Sequence, residues 1–308
     1  AERFTEDGLR PIRALRFSAQ LDFTIEKNTF KAISLPEVQK KTGSVSIERI
    51  RDELVKMLDA PLPSEGFSFM EKTGVMQMFL PELLKCRGCT QKDFRGYHEF
   101  DVLDHLLYAC DGAPRYNLTV RLAALLHDIG KPDAKKIEHT PDGDVFTFYN
   151  HETISTEIAR KMLVRLRFPN TTVESVCHLI QQHMFHYESS WTDAAVRRFV
   201  VRVKPEFLDD LFALRLADVY GMHNVPVRLH DSDVGKNLCE LKDRIAAVMK
   251  QSSALGIKDL AVNGQDLIKA GVPAGKMMGT ILHGLLETVL DDPEQNKKET
   301  LLHIAQNM

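Results

Sequence analysis

Apolar residues recur at intervals of three and four along nearly the whole chain, and only one short stretch alternates. That spacing buries one stripe of a helix and leaves a strand without a coherent face, so it commits the chain to an all-α fold. The exception is "KIEHTPDGDVFTFY", which alternates around Pro141-Asp142-Gly143 and is the single hairpin candidate. At 308 residues with 44% apolar content, the chain can build two or three compact units with real cores.

The first helix is expected to start with Asp7 as N-cap, with Leu9, Ile12, Leu15 and Ala19 inward and Arg10, Arg13 and Arg16 along another side. Pro11 falls in its first turn, where a proline is tolerated. In "SIERIRDELVKMLDA", Ser46 is the expected N-cap and Ile47, Ile50, Leu54 and Leu58 the buried stripe. Helical spacing pairs Arg49 with Glu53 and Asp52 with Lys56 on its outer face. A boundary is expected between about Leu80 and Gly96. Longer helices follow from His98, among them "LTVRLAALLHDIGKP", capped by Gly130 with Pro132 behind it. Asn150 reads as the N-cap of "NHETISTEIARKMLVRLRF", and Thr171 with Glu174 as a capping box.

A net charge of -3 excludes a globally basic nucleic-acid coat and leaves phosphate binding to local faces. Five scattered cysteines suit a reducing compartment, so a cytoplasmic location is expected. No apolar run approaches the roughly 20 residues that span a bilayer, and a membrane role is not expected. Cys86 and Cys89 form a lone CxxC without a second pair, which reads as a surface loop with incidental thiols rather than a zinc site. Arg160, Arg165, Arg167, Arg197, Arg198 and Arg202 read either as a solvated face or as a track for RNA phosphates.

His127 and Asp128 close a helix otherwise made of Leu122, Ala123, Leu125 and Leu126. Two metal-capable side chains at the end of an apolar helix need partners, because a lone buried polar group is costly. His105, His151, His183 and Asp218 lie on neighbouring helices, and such sets build metal sites in helical bundles. Spacing alone equally allows a helix-terminal cap with one hydrogen-bond partner, and a solvated Lys131 just past the helix end.

His105, then His127-Asp128 in "LLHDIGKP", then Asp218 in "LADVYG" resemble the H…HD…D signature of HD-domain metal-dependent phosphohydrolases. The resemblance implies that His105, His127, Asp128 and Asp218 bind a divalent cation such as Mg, Mn or Ni. It implies a second metal at His151 and His183, bridged by Asp128, and Lys131 beside the phosphate. His127, Asp128 and Lys131 would then carry the catalysis.

The first helix, "EDGLRPIRALRF", resembles the nucleobase-reading motif of bacterial tRNA nucleotidyltransferases and poly(A) polymerases, and the similarity runs on to the tail "LAVNGQDLIKAGVPAGKMMGTILHGLLETVLDDPE". It implies an elongated helical neck and body, an HD-type bundle and a helical tail. Residues 1–60 would be the neck, 61–97 connecting body helices, 98–230 the HD domain and 231–308 a tRNA-contacting tail. Asp7 and Arg10 would read the edge of CTP or ATP, with Glu6 holding the arginine and Arg13 nearby. The family's N-terminal head, which performs nucleotidyl transfer, is not found in this sequence and is expected in cis or in trans. The implied partners are a tRNA or other RNA 3′ end and a phosphoester. The alternatives are an RNA-binding module with a silent HD site, or a stand-alone HD nucleotide phosphohydrolase.

Overall fold

In the computed structural model, residues 2–91, 99–141, 143–227, 230–251, 256–273, 275 and 277–308 are described. The expected boundary near Gly96, the helix start at His98 and the turn residue Asp142 lie outside them. The fold is all-α with one two-stranded hairpin among the described residues. The chain forms two compact units, one of residues 1–185 with 209–227 and one of residues 186–208 with 228–308.

The first unit opens with α1 (Glu2–Glu6), α2 (Arg10–Leu21), α3 (Lys27–Ile33), α4 (Pro36–Gly43) and α5 (Ile47–Leu58). Short helices α6 (Pro63–Lys72), α7 (Val75–Phe79) and α8 (Pro81–Leu84) follow. Four of these, α2, α4, α6 and α8, carry proline at their first or second position, where no intrahelical donor is lost. The second half of the unit holds α9 (Val102–Gly112), α10 (Leu118–Leu126), α11 (Lys131–Ala134), β1 (Lys136–Thr140) and β2 (Gly143–Thr147). It continues through α12 (His151–Arg165) and α13 (Asn170–Gln182). The hairpin is antiparallel, with Ile137 opposite Phe146 and Thr140 opposite Gly143.

The apolar stripes close on one another as their spacing requires. Ile12, Leu15, Ile50, Leu54 and Phe67 are buried, with α2 packed on α5 and α6. Leu54, Leu58 and Phe67 share an interior with Leu122, Leu126, Met162 and Leu166, which joins the early helices to α10 and α12.

The second unit contains α14 (Asp193–Val203), most of the chain after α15 (Leu208–His223), and the helices α16 (Asp233–Gln251), α17 (Gly264–Lys269), α18 (Met277–Asp291) and α19 (Lys298–Gln306). From Asp209 onward α15 belongs to the first unit. Leu267, Leu285, Val289 and Leu301 form a core of the second unit. Arg244 ties α16 to the Trp191 carbonyl at 2.7 Å and to Asp193 at 2.8 Å.

Several local expectations are corrected. Helix α2 begins at Arg10, and the Asp7 carboxylate accepts from the Leu9 amide at 3.1 Å in the turn before it. Arg16 is not on an outer face but buried, as is Glu53, which receives its Nε hydrogen bond at 2.6 Å. The long-range partner outcompetes the local spacing: Arg49 approaches Asp7, Lys56 pairs with Glu53, and Asp52 pairs with Arg51. Ile47 is half-buried. Ser46 and Asn150 sit at the expected N-cap positions of α5 and α12 but their side chains make no capping bond, whereas Pro169 takes the N-cap position of α13 and Glu174 pairs with Arg160. Cys86 is fully buried rather than in a surface loop, and burial pushes its thiol pKa far up.

Four of the six arginines, Arg160, Arg165, Arg197 and Arg198, already hold partners, Arg160 through Glu174. Arg165 holds Glu82 and the Phe79 carbonyl, and Arg198 holds Glu287 and Asp291. Arg197 is buried and donates to the Leu290 carbonyl at 2.6 Å.

Candidate metal centre

Helix α10 stops at Leu126, four residues before the expected Gly130, and the chain turns through His127–Gly130 into α11. The early stop aims consecutive side chains inward. Helix α12 forces this turn close: a Cβ at Gly130 would lie 2.6 Å from the Ser155 amide nitrogen and 2.9 Å from the His151 carbonyl oxygen. The Gly130 amide instead donates to Ser155 Oγ at 2.9 Å. A comparable approach brings α15 to α9, where a Cβ at Gly221 would meet the His105 carbonyl oxygen at 2.7 Å. These contacts carry His151 and Asp218 to the His-Asp turn.

His105 Nε2 and His127 Nε2 lie 3.1 Å apart, and each is within 3.5 Å of both Asp128 Oδ2 and Asp218 Oδ1. On the other side of the same carboxylate, Asp128 Oδ1 lies 3.0 Å from His151 Nε2 and 3.6 Å from His183 Nε2. Asp128 is therefore common to two three-residue clusters, His105–His127–Asp128 and Asp128–His151–His183. All five residues are buried.

Three imidazoles are oriented by the backbone of their own helices or turns. His127 Nδ1 donates to the Ala124 carbonyl at 2.9 Å, His151 Nδ1 to Phe148 at 2.7 Å and His183 Nδ1 to Ile180 at 2.7 Å. A carbonyl can only accept, so Nδ1 carries a proton and Nε2 is the nitrogen turned inward, where it can hold a second proton or, as a lone pair, face a cation. Burial pushes the His127 imidazole down, yet the Asp128 and Asp218 carboxylates outweigh it and raise its pKa to about 10. Burial would raise the carboxyl pKa of Asp128, but Lys131 and His127 hold it well below the usual range. Burial likewise opposes ionisation of Asp218, where His105 and His127 prevail. Converging imidazole and carboxylate donors, with buried negative charge shared between them, fit one or two divalent cations.

Lys131 is not solvated. It is buried, with Nζ 2.6 Å from Asp128 Oδ2 and 2.6 Å from Gln91 Oε1. A cavity of about 640 Å³ opens over the cluster, lined by Lys131, Arg215 and Asp218 together with Phe148, Tyr149 and Met184. Arg215 Nη1 donates to Asp218 Oδ2 at 2.7 Å. Gln91 and Ser155 carried no signal in the sequence. Arg215, three residues before a candidate ligand on one helix, was accessible from spacing.

The nucleobase-reading candidates form a separate set around the start of α2. Glu6 holds Arg10 at 2.6 Å, and Arg10 also donates to the Arg3 carbonyl at 2.7 Å. Arg13 lies against the Phe17 ring at 5.8 Å.

A helical bundle that places histidine, His-Asp and aspartate from successive helices around shared cation positions defines the HD class of domain. The HD-domain family model matches residues 95–222. The model for the RNA and SrmB-binding site of polymerase A matches residues 22–86, and tRNA nucleotidyltransferase domain 2 matches 234–305. The chain is 31% identical over 290 residues to the A-adding tRNA nucleotidyltransferase of Deinococcus radiodurans, covering 91% of this chain and 64% of that protein. It is 30% identical over 305 residues to the CC-adding enzyme of Thermus thermophilus, covering 97% and 66%. The crystal structure of the Bacillus stearothermophilus CCA-adding enzyme in complex with CTP shares its fold, with a TM-score of 0.66 at 19% identity over 99% of this chain and 62% of that one. The chain belongs to the tRNA nucleotidyltransferase family and spans about two thirds of the length of the relatives it matches. Among the described residues no helix is long and apolar enough to cross a membrane.

Proposed function

We propose that this chain is the base-reading, RNA-gripping and phosphohydrolytic portion of an enzyme that builds or repairs the 3′ end of tRNA. Residues 1–60 serve as the neck, 61–97 as connecting helices, 98–230 as a metal-dependent phosphohydrolase and 231–308 as a tRNA-contacting tail. Nucleotidyl transfer belongs to a head domain supplied in cis or in trans, and the compartment is the cytoplasm.

The observation that carries the hydrolase reading is the sharing of Asp128 between two buried imidazole clusters. His105, His127, Asp128 and Asp218 would hold one cation, and Asp128, His151 and His183 a second. The nitrogen-rich set favours Ni over Mn or Mg. A divalent cation there lowers the pKa of water towards neutrality and neutralises phosphoryl charge. Lys131 spends two of its three donors on Asp128 and Gln91, which leaves one for a phosphoryl oxygen. Arg215 braces Asp218 from the cavity wall. Phe148, Tyr149 and Met184 offer apolar surface to the organic part of a phosphomonoester or a 2′,3′-cyclic phosphate.

The base-reading role rests on Glu6, at the end of α1, steadying Arg10 at the start of α2. Asp7 and Arg10 would present an acceptor and a forked donor to CTP or ATP, with Arg13 beside them.

The test is hydrolysis of p-nitrophenyl phosphate and 2′,3′-cyclic AMP by purified protein loaded in turn with Ni, Mn and Mg. Turnover that vanishes in Asp128→Ala and His127→Ala is expected. Metal-loaded protein that binds tRNA in a salt-dependent way yet hydrolyses neither ester would establish the silent-site reading instead.

A further inference from the structure

We infer, resting on the reading of the buried cluster as a phosphohydrolase, that Arg215 makes the site a phosphomonoesterase. Its guanidinium takes the third non-bridging oxygen of a terminal phosphoryl group, an oxygen that a 2′,3′-cyclic phosphate lacks.

The cavity over the cluster is walled by the acids Asp128, Glu152 and Asp218 and, among the described residues, by two cations, Lys131 and Arg215. The cations stand on different carboxylates. Lys131 Nζ lies 2.6 Å from Asp128 Oδ2, and Arg215 Nη1 lies 2.7 Å from Asp218 Oδ2. Those carboxylates meet on the same two imidazoles, each within 3.5 Å of His105 Nε2 and His127 Nε2. Lys131 and Arg215 therefore flank one cation position, the first from the turn after α10 and the second from α15. Glu152 stands by the other position, with Oε2 3.9 Å from His151 Nδ1.

Arg215 is placed to bind as well as to brace. Its side chain is 28% exposed at the cavity wall, against 9% for Lys131. One of the five guanidinium donors goes to Asp218, and no other acceptor meets the group among the described residues. The helix that carries it is seated on α9, since a Cβ at Gly221 would already meet the Ala109 side chain at 2.9 Å. A planar guanidinium held in this way offers its remaining N–H groups as a fork that suits an oxyanion. Lys131 keeps one donor after Asp128 and Gln91 are served.

The count of oxygens then selects the substrate. A terminal phosphoryl group has three strong acceptor oxygens and close to two negative charges at neutral pH. A divalent cation, Lys131 and Arg215 take one oxygen each. A 2′,3′-cyclic phosphate keeps only two non-bridging oxygens that share one charge, and its ester oxygens are uncharged and weaker acceptors. Arg215 is then left to compete with Lys131 for the same oxygen. In hydrolysis of the monoester, water forms a new P–O bond and the P–O bond to the alcohol breaks. A proton of that water passes to the departing alkoxide, so an alcohol and inorganic phosphate leave.

The test uses two probes that are not turned over, phenylphosphonate with three non-bridging oxygens and its monomethyl ester with two. Calorimetry measures their binding to the full chain loaded with Ni at pH 8. Wild-type protein should prefer phenylphosphonate, and Arg215→Met should shrink that preference about tenfold by weakening phenylphosphonate alone. A residue that only braced Asp218 would cost metal, which lowers the stoichiometry and leaves the ratio of the two dissociation constants in place. Arg215→Gln, which keeps a neutral donor for Asp218, is measured alongside, so that the ratio is read even where Arg215→Met holds no metal. A preference intact in both variants, equal affinity of wild-type protein for the two probes, or no binding of either would overturn the inference. Hydrolysis separates it from the reading on which it rests. Protein that discriminates through Arg215 yet cleaves neither p-nitrophenyl phosphate nor 2′,3′-cyclic AMP keeps Arg215 as the phosphoryl-binding residue and sinks the hydrolase. Cleavage of the cyclic ester as fast as the monoester sinks this inference alone.

Discussion

Arg16 on α2 and Glu53 on α5, 37 positions apart in sequence, form a buried ion pair with Nε 2.6 Å from Oε2. The other carboxylate oxygen receives Lys56 at 2.9 Å, and Arg16 Nη1 donates to the Gln20 side-chain oxygen. The pair fixes the helix that carries Arg10 and Arg13 against its neighbour. Removing one member leaves the other charged and buried, which costs about 3–5 kcal/mol. Glu53→Ala should therefore lower the urea midpoint substantially, whereas Arg16→Met combined with Glu53→Leu should lose much less. Equal losses in the single and double variants would show that the pair contributes packing alone.

Because Asp128 is shared, metal content should respond unequally to ligand removal. Asp128→Ala should abolish binding at both cation positions. His105→Ala should spare the position formed with His151 and His183, and His183→Ala should spare the one formed with His105 and His127. Metal per chain, measured by atomic emission after loading with Ni or Mn, should fall to zero in the first variant and to half in the others. Loss of all metal in His183→Ala would mean that one cation occupies the whole cluster.

The convergence of these side chains was signalled mainly by the resemblance to an H…HD…D signature, with helical phase turning His105 and His127 inward, whereas His151 and His183 have polar neighbours in sequence. His105 precedes Leu106-Leu107, and His127 follows Leu125-Leu126. The hairpin was legible from its alternation around a turn. What could not be read was any choice between competing partners. Glu53 has Arg49 at helical spacing, but burial gives it to Arg16, and only tertiary packing determines that. Likewise Gly130 resembles a helix cap, yet its missing side chain serves a contact with α12 that local sequence does not record. Ser46 and Asn150 occupy the expected N-cap positions without a capping side-chain bond, and only the Thr171 box is displaced, by Pro169, since the residue types permit capping without requiring it.

Gly130→Ala should disturb the metal centre without touching a ligand. The added methyl meets backbone atoms of α12, the Ser155 nitrogen at 2.6 Å and the His151 carbonyl at 2.9 Å, which no side-chain rotation relieves. Overpacking of this kind costs about 1–3 kcal/mol. The shift falls on the segment that presents His151, so metal affinity at the second position should fall more than at the first. Titration with Ni, followed by the charge-transfer and ligand-field bands, separates the two steps. A variant with native stability and two native binding steps would show that α12 yields freely.

Asp111 makes a pH prediction away from the metal centre. Burial raises its carboxyl pKa to about 6, against hydrogen bonding from Ser64 and the charge of Arg121, which lower it. The carboxylate accepts the Ser64 amide at 2.9 Å at the start of α6. Its folded pKa lies above the unfolded value, so the folded state binds the proton more tightly. Stability from this group is fully present below the unfolded pKa, near 3.8, and falls as pH rises towards about 6. Asp111→Asn keeps the acceptor oxygen and removes the charge. It should stabilise the protein at pH 8 by about 1–2 kcal/mol, discounted from the full linkage of about 1.4 kcal/mol per unit. The advantage should shrink between pH 6 and pH 4. Urea unfolding of both proteins across that range measures it, and a difference that stays constant with pH would place the Asp111 titration outside the folding equilibrium.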